Sequence, residues 1–233
     1  MMPGRRTAVL LGALCAGLAL AGCAGDPDQG TNGVAKLPPE TIARQARAAA
    51  DKADTVRLSG TVASKGKSYT LDMRLRGNGG VGQVTSKGST FELLRVGNDL
   101  YLKAGEDFYG AKAGATLKDK YVKVPTGDPA YKQFSGFTDK AVLLDGLFAM
   151  SGKLATGDHR SVNGTRTIAL TADGGSGGTL DVSLEGRPYP LRIRRAGGAG
   201  TLTLADWGKD FTLRAPDKDH VVDYGKQITA SGG

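Results

Sequence analysis

From Thr55 onward, apolar and polar residues alternate along much of the chain. "TVRLSGTV" places Val56, Leu58 and Val62 on one side of a strand. "SYTLDMRLRG" sets Tyr69, Leu71, Met73 and Leu75 against Ser68, Thr70, Asp72, Arg74 and Arg76. A period of two is the mark of a half-buried strand. Lys65-Gly66-Lys67 joins these two runs as a hairpin, "GNGG" at 77–80 opens the next turn, and Gly97-Asn98 joins "FELLRV" to "DLYLKA". "KYVKVP" is a further short strand. After residue 150 the pattern resumes. Asn163-Gly164 joins "HRSV" to "TRTIALTA", and "GTLDVSLEG", "YPLRIRRAG", "GTLTLADWG" and "DFTLRAP" follow.

Two segments depart from this period. "LPPETIARQARAAADKA" has Pro38 and Pro39 at its start and an Ala-rich body, and Ile42, Ala46, Ala49, Ala50 and Ala53 share one helical face. Residues 128–150 contain "FTDKAVLLDGLFAM", with Thr138 as the expected N-cap and Leu143, Leu144, Leu147 and Phe148 at helical spacing. Clean alternation implies antiparallel strands with one dry face, and short turns imply a meander. The fold class is therefore α+β: a sheet of roughly nine to eleven strands with an N-terminal helix and a mid-chain helical insert. That many twisted strands tend to curl.

The first 36 residues have their own logic. Arg5 and Arg6 precede an almost wholly apolar run from Thr7 to Ala21. A basic segment followed by such a run is the layout of a secretory signal. The run is shorter than the roughly 20 residues that a membrane-spanning helix needs. It ends Leu20-Ala21-Gly22-Cys23, which resembles the bacterial lipobox, where the cysteine thiol is acylated and cleavage falls just before it. Residues 1–22 are thus expected to be a signal peptide, Cys23 the lipid attachment site, and 23–36 a flexible, polar tether. The domain is expected over 37–228 with a tail at 229–233. Cys15 leaves with the signal, so the mature chain has no pair of thiols for a disulfide or a zinc-cysteine site.

Composition adds two constraints. The chain of 233 residues carries a net charge of +8, with Asp and Glu interspersed among Lys and Arg. That distribution does not make a nucleic-acid surface; a mild positive balance suits an anionic membrane or wall polymer. The 36 glycines suit many turns between short strands.

Catalytic patterns are present but lack their context. "GGSGG" at 174–178 fits G-x-S-x-G, with Asp206 or Asp217 and His220 following Ser176 in hydrolase order. That chemistry needs Ser on a sharp strand-to-helix turn, whereas a strand pattern follows here. Ser64 to Lys67 fits S-x-x-K but lacks its partner motifs and reads as a hairpin turn. "GTVASKGKS" misses the P-loop spacing by one residue. His159 and His220 have no metal-ligand spacing, so no metal or cofactor is expected. Arg192, Arg194 and Arg195 form a basic cluster that reads as a solvated strand face or a head-group contact.

The layout of lipobox, tether, Ala-rich helix, strands, helical insert and further strands ending in "LADWGKDFTLRAPD" resembles the LolA-like lipoprotein carriers. "ELLRVGNDLYLKA", "KYVKVP" and "YPLRIRRA" are similar to the LppX/LprG group of actinobacterial lipoproteins. The resemblance implies a curved half-barrel with helices on its concave face and a hydrophobic cavity between them, used to bind and move lipids in the cell envelope. In that frame Leu71, Met73 and Leu75 are expected to oppose Leu143, Leu144, Leu147 and Phe148 across the cavity. The leading reading is a non-enzymatic lipoprotein on the extracytoplasmic face of the cell membrane, anchored through Cys23, with a lipid or other hydrophobic ligand. The alternatives are a structural or sensor lipoprotein with a filled core and an envelope protein partner, and an exported serine hydrolase using Ser176.

Overall fold

The computed structural model describes residues 26–223 except 78, 107 and 111–116. The signal segment, Cys23 and the tail at 229–233 lie outside the described residues. Helix α1 spans Pro39–Lys52. The first wing of the sheet follows as β1 (Thr55–Ser64), β2 (Lys67–Arg76), β3 (Gly79–Ser86), β4 (Ser89–Val96), β5 (Asp99–Ala104) and β6 (Tyr121–Val124). Two short helices come next, α2 (Pro129–Ser135) and α3 (Lys140–Leu147). The second wing is β7 (Leu154–Val162), β8 (Thr165–Ala172), β9 (Thr179–Ser183), β10 (Pro190–Arg194) and β11 (Gly200–Ala205). A last short strand, β12 (Val221–Asp223), closes the described chain.

Among the described residues these strands form one 12-stranded open sheet, ordered β12-β6-β5-β4-β3-β2-β1-β11-β10-β9-β8-β7. Every pairing is antiparallel except β12 with β6. Each wing is a meander, and the wings join where β1 pairs with β11, Leu58 facing Leu204. Turn chemistry fixes the hairpins. Lys65 and Gly66 both have positive φ, as do Asn163 and Gly164, which a two-residue turn between twisted strands requires.

Twelve flat strands would measure about 50 Å across at the usual inter-strand spacing. Yet Val124 of β6, Met73 of β2, Leu204 of β11 and Ile168 of β8 all belong to one apolar core. The sheet therefore bends around its helices as a half-barrel. Close backbone approach at the wing junction helps. Gly60 of β1, with φ 138°, sits where a Cβ would lie 2.2 Å from the Thr201 carbonyl oxygen. Gly82 of β3 leaves room for the Met73 side chain, 2.8 Å from where its own Cβ would be.

The helices divide the concave face. α1 packs on β7, β8 and β10, burying Ile42, Ala46, Ala49 and Ala50 as its spacing predicted. α2 and α3 cover the first wing: the Phe134 and Phe91 rings lie 5.6 Å apart, Phe137 and Tyr69 5.3 Å. Lys140 ties the helical units together. Its ammonium, on a buried side chain, donates to the carbonyls of Asp51 and Ala53 at the end of α1, where the helix dipole favours a cation. Burial pushes its pKa down from the ordinary lysine value.

Four expectations need adjusting. The sheet has one strand more than the upper expectation: β3, whose first glycines read as part of the turn at 77–80, and the three-residue β12 are both added, while one expected strand is lost. "DFTLRAP" is not a strand: residues 211–217 run irregularly. β11 already pairs on both edges, with β1 and β10, so the chain crosses to the free edge of β6. The insert is two helices rather than one, capped by Asp128 and Asp139 instead of Thr138. Finally, the tether expected over 23–36 is tied down from Asp28. Asn32 donates to the Ser183 and Gly186 carbonyls at 3.0 and 3.1 Å, Asp28 meets His159 at 2.8 Å, and Val34 joins the core.

Candidate functional site

The concave face is packed along most of its length. Leu71, Met73 and Leu75 of β2 are fully buried. Gly80 and Gly82 of β3 lie opposite Leu75 and Met73, and Leu144 and Leu147 of α3 enter the same core. Leu143 and Phe148 are partly buried against it. The seven residues expected to line a cavity are thus brought into one cluster, and Phe148 borders open space as well.

That space is a groove of about 500 Å³ between α1 and the segment after α3, lined by Ala43, Arg44, Arg47, Ala48, Asp51, Phe148, Met150 and Leu180. Leu180 comes from the inner face of β9. The small side chains of Ala43 and Ala48 keep α1 from filling the gap. The floor is apolar and the rim is cationic, with Arg44 holding its guanidinium 2.8 Å from Thr41 Oγ1. Arg47 spans the groove: Nε bonds Asp51 at 2.9 Å, Nη2 pairs with Asp145 of α3, and the guanidinium lies 5.5 Å from the Phe148 ring centre. The bonds to Asp145 and Asp51 hold its pKa above the ordinary arginine value, against a smaller effect of burial. Arg47 is therefore a latch between α1 and α3 across the mouth of the groove. Sequence reasoning missed Ala43, Arg44, Arg47, Ala48, Asp51, Met150 and Leu180, since it read only the buried face of α1. The available signal was the pairing of small and cationic residues at helical spacing on the opposite face.

The catalytic patterns lie elsewhere and apart. Ser176 follows a short helical turn at Asp173–Gly175 and precedes β9, and its Oγ donates to the Asp173 carbonyl at 2.8 Å. His159 is engaged with Asp28, and His220 ends the turn Lys218–His220. Ser64 to Lys67 are the β1–β2 hairpin. Among the described residues no group of three or more His, Cys, Asp or Glu side chains is placed to hold a metal ion, and no helix is long and apolar enough to cross a membrane.

A bent, open sheet with helices packed along its inner face defines the class, and this is the half-barrel architecture expected from the sequence. LprF from Mycobacterium bovis has this fold: the similarity has a TM-score of 0.53 at 17% identity, covering 76% of this chain and 96% of that one. The lipoprotein LppX from Mycobacterium tuberculosis aligns with a TM-score of 0.48 at 18% identity, over 76% of this chain and 98% of its own. No family model matches the chain, and no curated protein does.

Proposed function

We propose that this protein is a non-enzymatic lipoprotein of the cell envelope that binds a lipid or other amphiphile in the groove beside α1, in keeping with a role in lipid transport. The groove carries the reading. Its volume of about 500 Å³ falls in the range of small-molecule sites, about 300–1,000 Å³, and it joins an apolar floor to a cationic rim. An acyl chain fits the floor, and an anionic head fits beside Arg44. Release of Arg47 from Asp145 would widen the entrance without disturbing the core. Residues 1–22 act as the signal, and Cys23 carries the acyl chains that hold the protein at the extracytoplasmic face of the membrane. Since Asp28 is the first residue tied to the sheet, through His159, residues 24–27 link the body to Cys23, a reach of about 17 Å. The domain is then carried close to the bilayer.

The second reading, a filled-core structural or sensor lipoprotein with a protein partner, draws on the complete burial of Leu71, Met73 and Leu75. Native mass spectrometry of the protein released from membranes separates the two. The wild type is expected to carry a lipid adduct, and Ala48→Trp to lose it at unchanged melting temperature, because Ala48 is exposed. A wild type without adduct removes the carrier reading. Incorporation of labelled palmitate, abolished by Cys23→Ser, tests the anchor separately.

A further inference from the structure

We propose that the outer face of β7–β10 carries a binding site for a phosphate-type anion, built from the guanidinium groups of Arg160, Arg192 and Arg194. Strand register brings these residues together from two distant segments. Arg160 of β7 faces Thr167 of β8, Thr167 faces Ser183 of β9, and Arg192 and Arg194 of β10 face Asp181 and Thr179 of β9. All point away from the core, so the site is separate from the groove, and its test does not depend on that reading.

Asp181 sits at the centre, fully buried. Arg192 Nε meets its Oδ2 at 2.6 Å, Arg194 Nη1 the same oxygen at 3.7 Å, and Arg160 Nη1 its Oδ1 at 3.4 Å. One carboxylate thus gathers three guanidiniums and leaves two positive charges unbalanced. The arginine side chains are only 28–37% exposed, so this excess is poorly screened. Burial pushes Arg194 below its ordinary value; Asp181 works against that, and the fields of Arg160 and Arg192 add to it. The Thr167 hydroxyl on the same face is buried with no hydrogen-bond partner.

Guanidiniums pair with phosphate oxygens in two-point geometry, and a set held in place beforehand loses little freedom on binding. Asp181 supplies that organisation by pinning the inner edges of the three groups. A phosphate monoester or diester at their outer edges would neutralise the excess. The phosphate could belong to a free solute or to a lipid head group, and the chemistry at the site is the same.

Phenylglyoxal modification of Arg192, read by peptide mass spectrometry on the full-length protein, tests the site. One arm uses neutral detergent micelles with increasing inorganic phosphate. The other uses phosphatidylcholine vesicles with and without phosphatidylglycerol. Protection in both arms identifies a site open to free phosphate, and protection by phosphatidylglycerol alone identifies a head-group site. The protecting phosphate concentration, or phosphatidylglycerol fraction, should rise about tenfold in Arg194→Gln and in Arg160→Gln. It should hold in Arg187→Gln, which removes an equal charge from an exposed turn. Arg194 is only loosely tied to Asp181, so its variant is expected to fold, and Arg160→Gln gives the same reading from a different strand. Absence of protection in both arms overturns the proposal. So does an Arg194→Gln and Arg160→Gln response no larger than that of Arg187→Gln.

Discussion

β2 and β9 follow the same alternation and have opposite outer faces. In β2, Leu71, Met73 and Leu75 point inward and Thr70, Asp72 and Arg74 stand in solvent. In β9, Leu180 and Val182 point inward, but Thr179, Asp181 and Ser183 are buried too. Arg57 of β1 pairs with Asp72 in an exposed fork. Around Asp181 the stems of Arg160, Arg192 and Arg194 fold over the sheet and shield its polar residues from water, as long cationic side chains commonly do. Alternation therefore tells which residues face apart. Whether the polar side is wet depends on what the neighbouring strands lay across it.

The sharpest way to break this comparison is to remove each acid in turn. Asp181→Ala strands three half-buried guanidiniums without their counter-charge. Losing one partner of a buried ion pair costs about 3–5 kcal/mol, which for a chain of this size lowers the melting temperature by roughly 2–4 °C per kcal/mol. Asp72→Ala removes an exposed pair, whose worth is about 0–1 kcal/mol. Urea unfolding of both variants checks this. Equal losses would mean that the outer faces of the two wings are energetically alike.

Thr167 sharpens the comparison from the opposite side. A buried hydroxyl without a partner costs about 1–3 kcal/mol of desolvation. Thr167→Val keeps the shape and removes the orphan, so it should stabilise the protein by about 1 kcal/mol. Thr70→Val, on the wet face of β2, should stay within about 0.5 kcal/mol of the wild type. A destabilised Thr167→Val would show that the hydroxyl is satisfied in solution, for instance by a bound water or anion. Paired thermal unfolding in phosphate-free buffer measures the difference.

Much of the fold is legible in the chain because local rules and the final structure agree. Lys65-Gly66 and Asn163-Gly164 turn where their dipeptides demand, and α1 buries the face that its alanines mark. What stays hidden depends on occupancy of distant edges and surfaces. No local signal tells that β11 already has two neighbours, so the extended look of "DFTLRAP" reads as a strand when it is a strap. α2 is short, and Asp128 with Pro129 marks its start only once the helix is known. The groove escapes for a related reason: Phe148 and Met150 are far in sequence from Ala43 and Ala48, and what they share is a gap. Arg192 and Arg194 stand out as a cluster, yet Arg160 and the buried Asp181 that complete it come from other strands.

The smallest effect concerns acid. Asp72 accepts two hydrogen bonds from Arg57. Those bonds hold its carboxyl below the ordinary aspartate value, helped by the charge of Arg57 and opposed by partial burial. In the folded state Asp72 therefore binds its proton at a lower pH than in the unfolded chain. Its contribution is fully present above the unfolded value near 3.9 and is lost as pH falls through the folded one. Asp72→Asn cannot lose what it never had. The stability difference between wild type and Asp72→Asn should be flat well above the unfolded value and shrink as pH falls below it. The pair is exposed, so the plateau is expected to be no more than about 1 kcal/mol. Urea midpoints at a series of pH values resolve it. A gap that widens on acidification would mean that the Arg57–Asp72 fork does not hold in solution, and that the outer face of β2 is organised by other contacts.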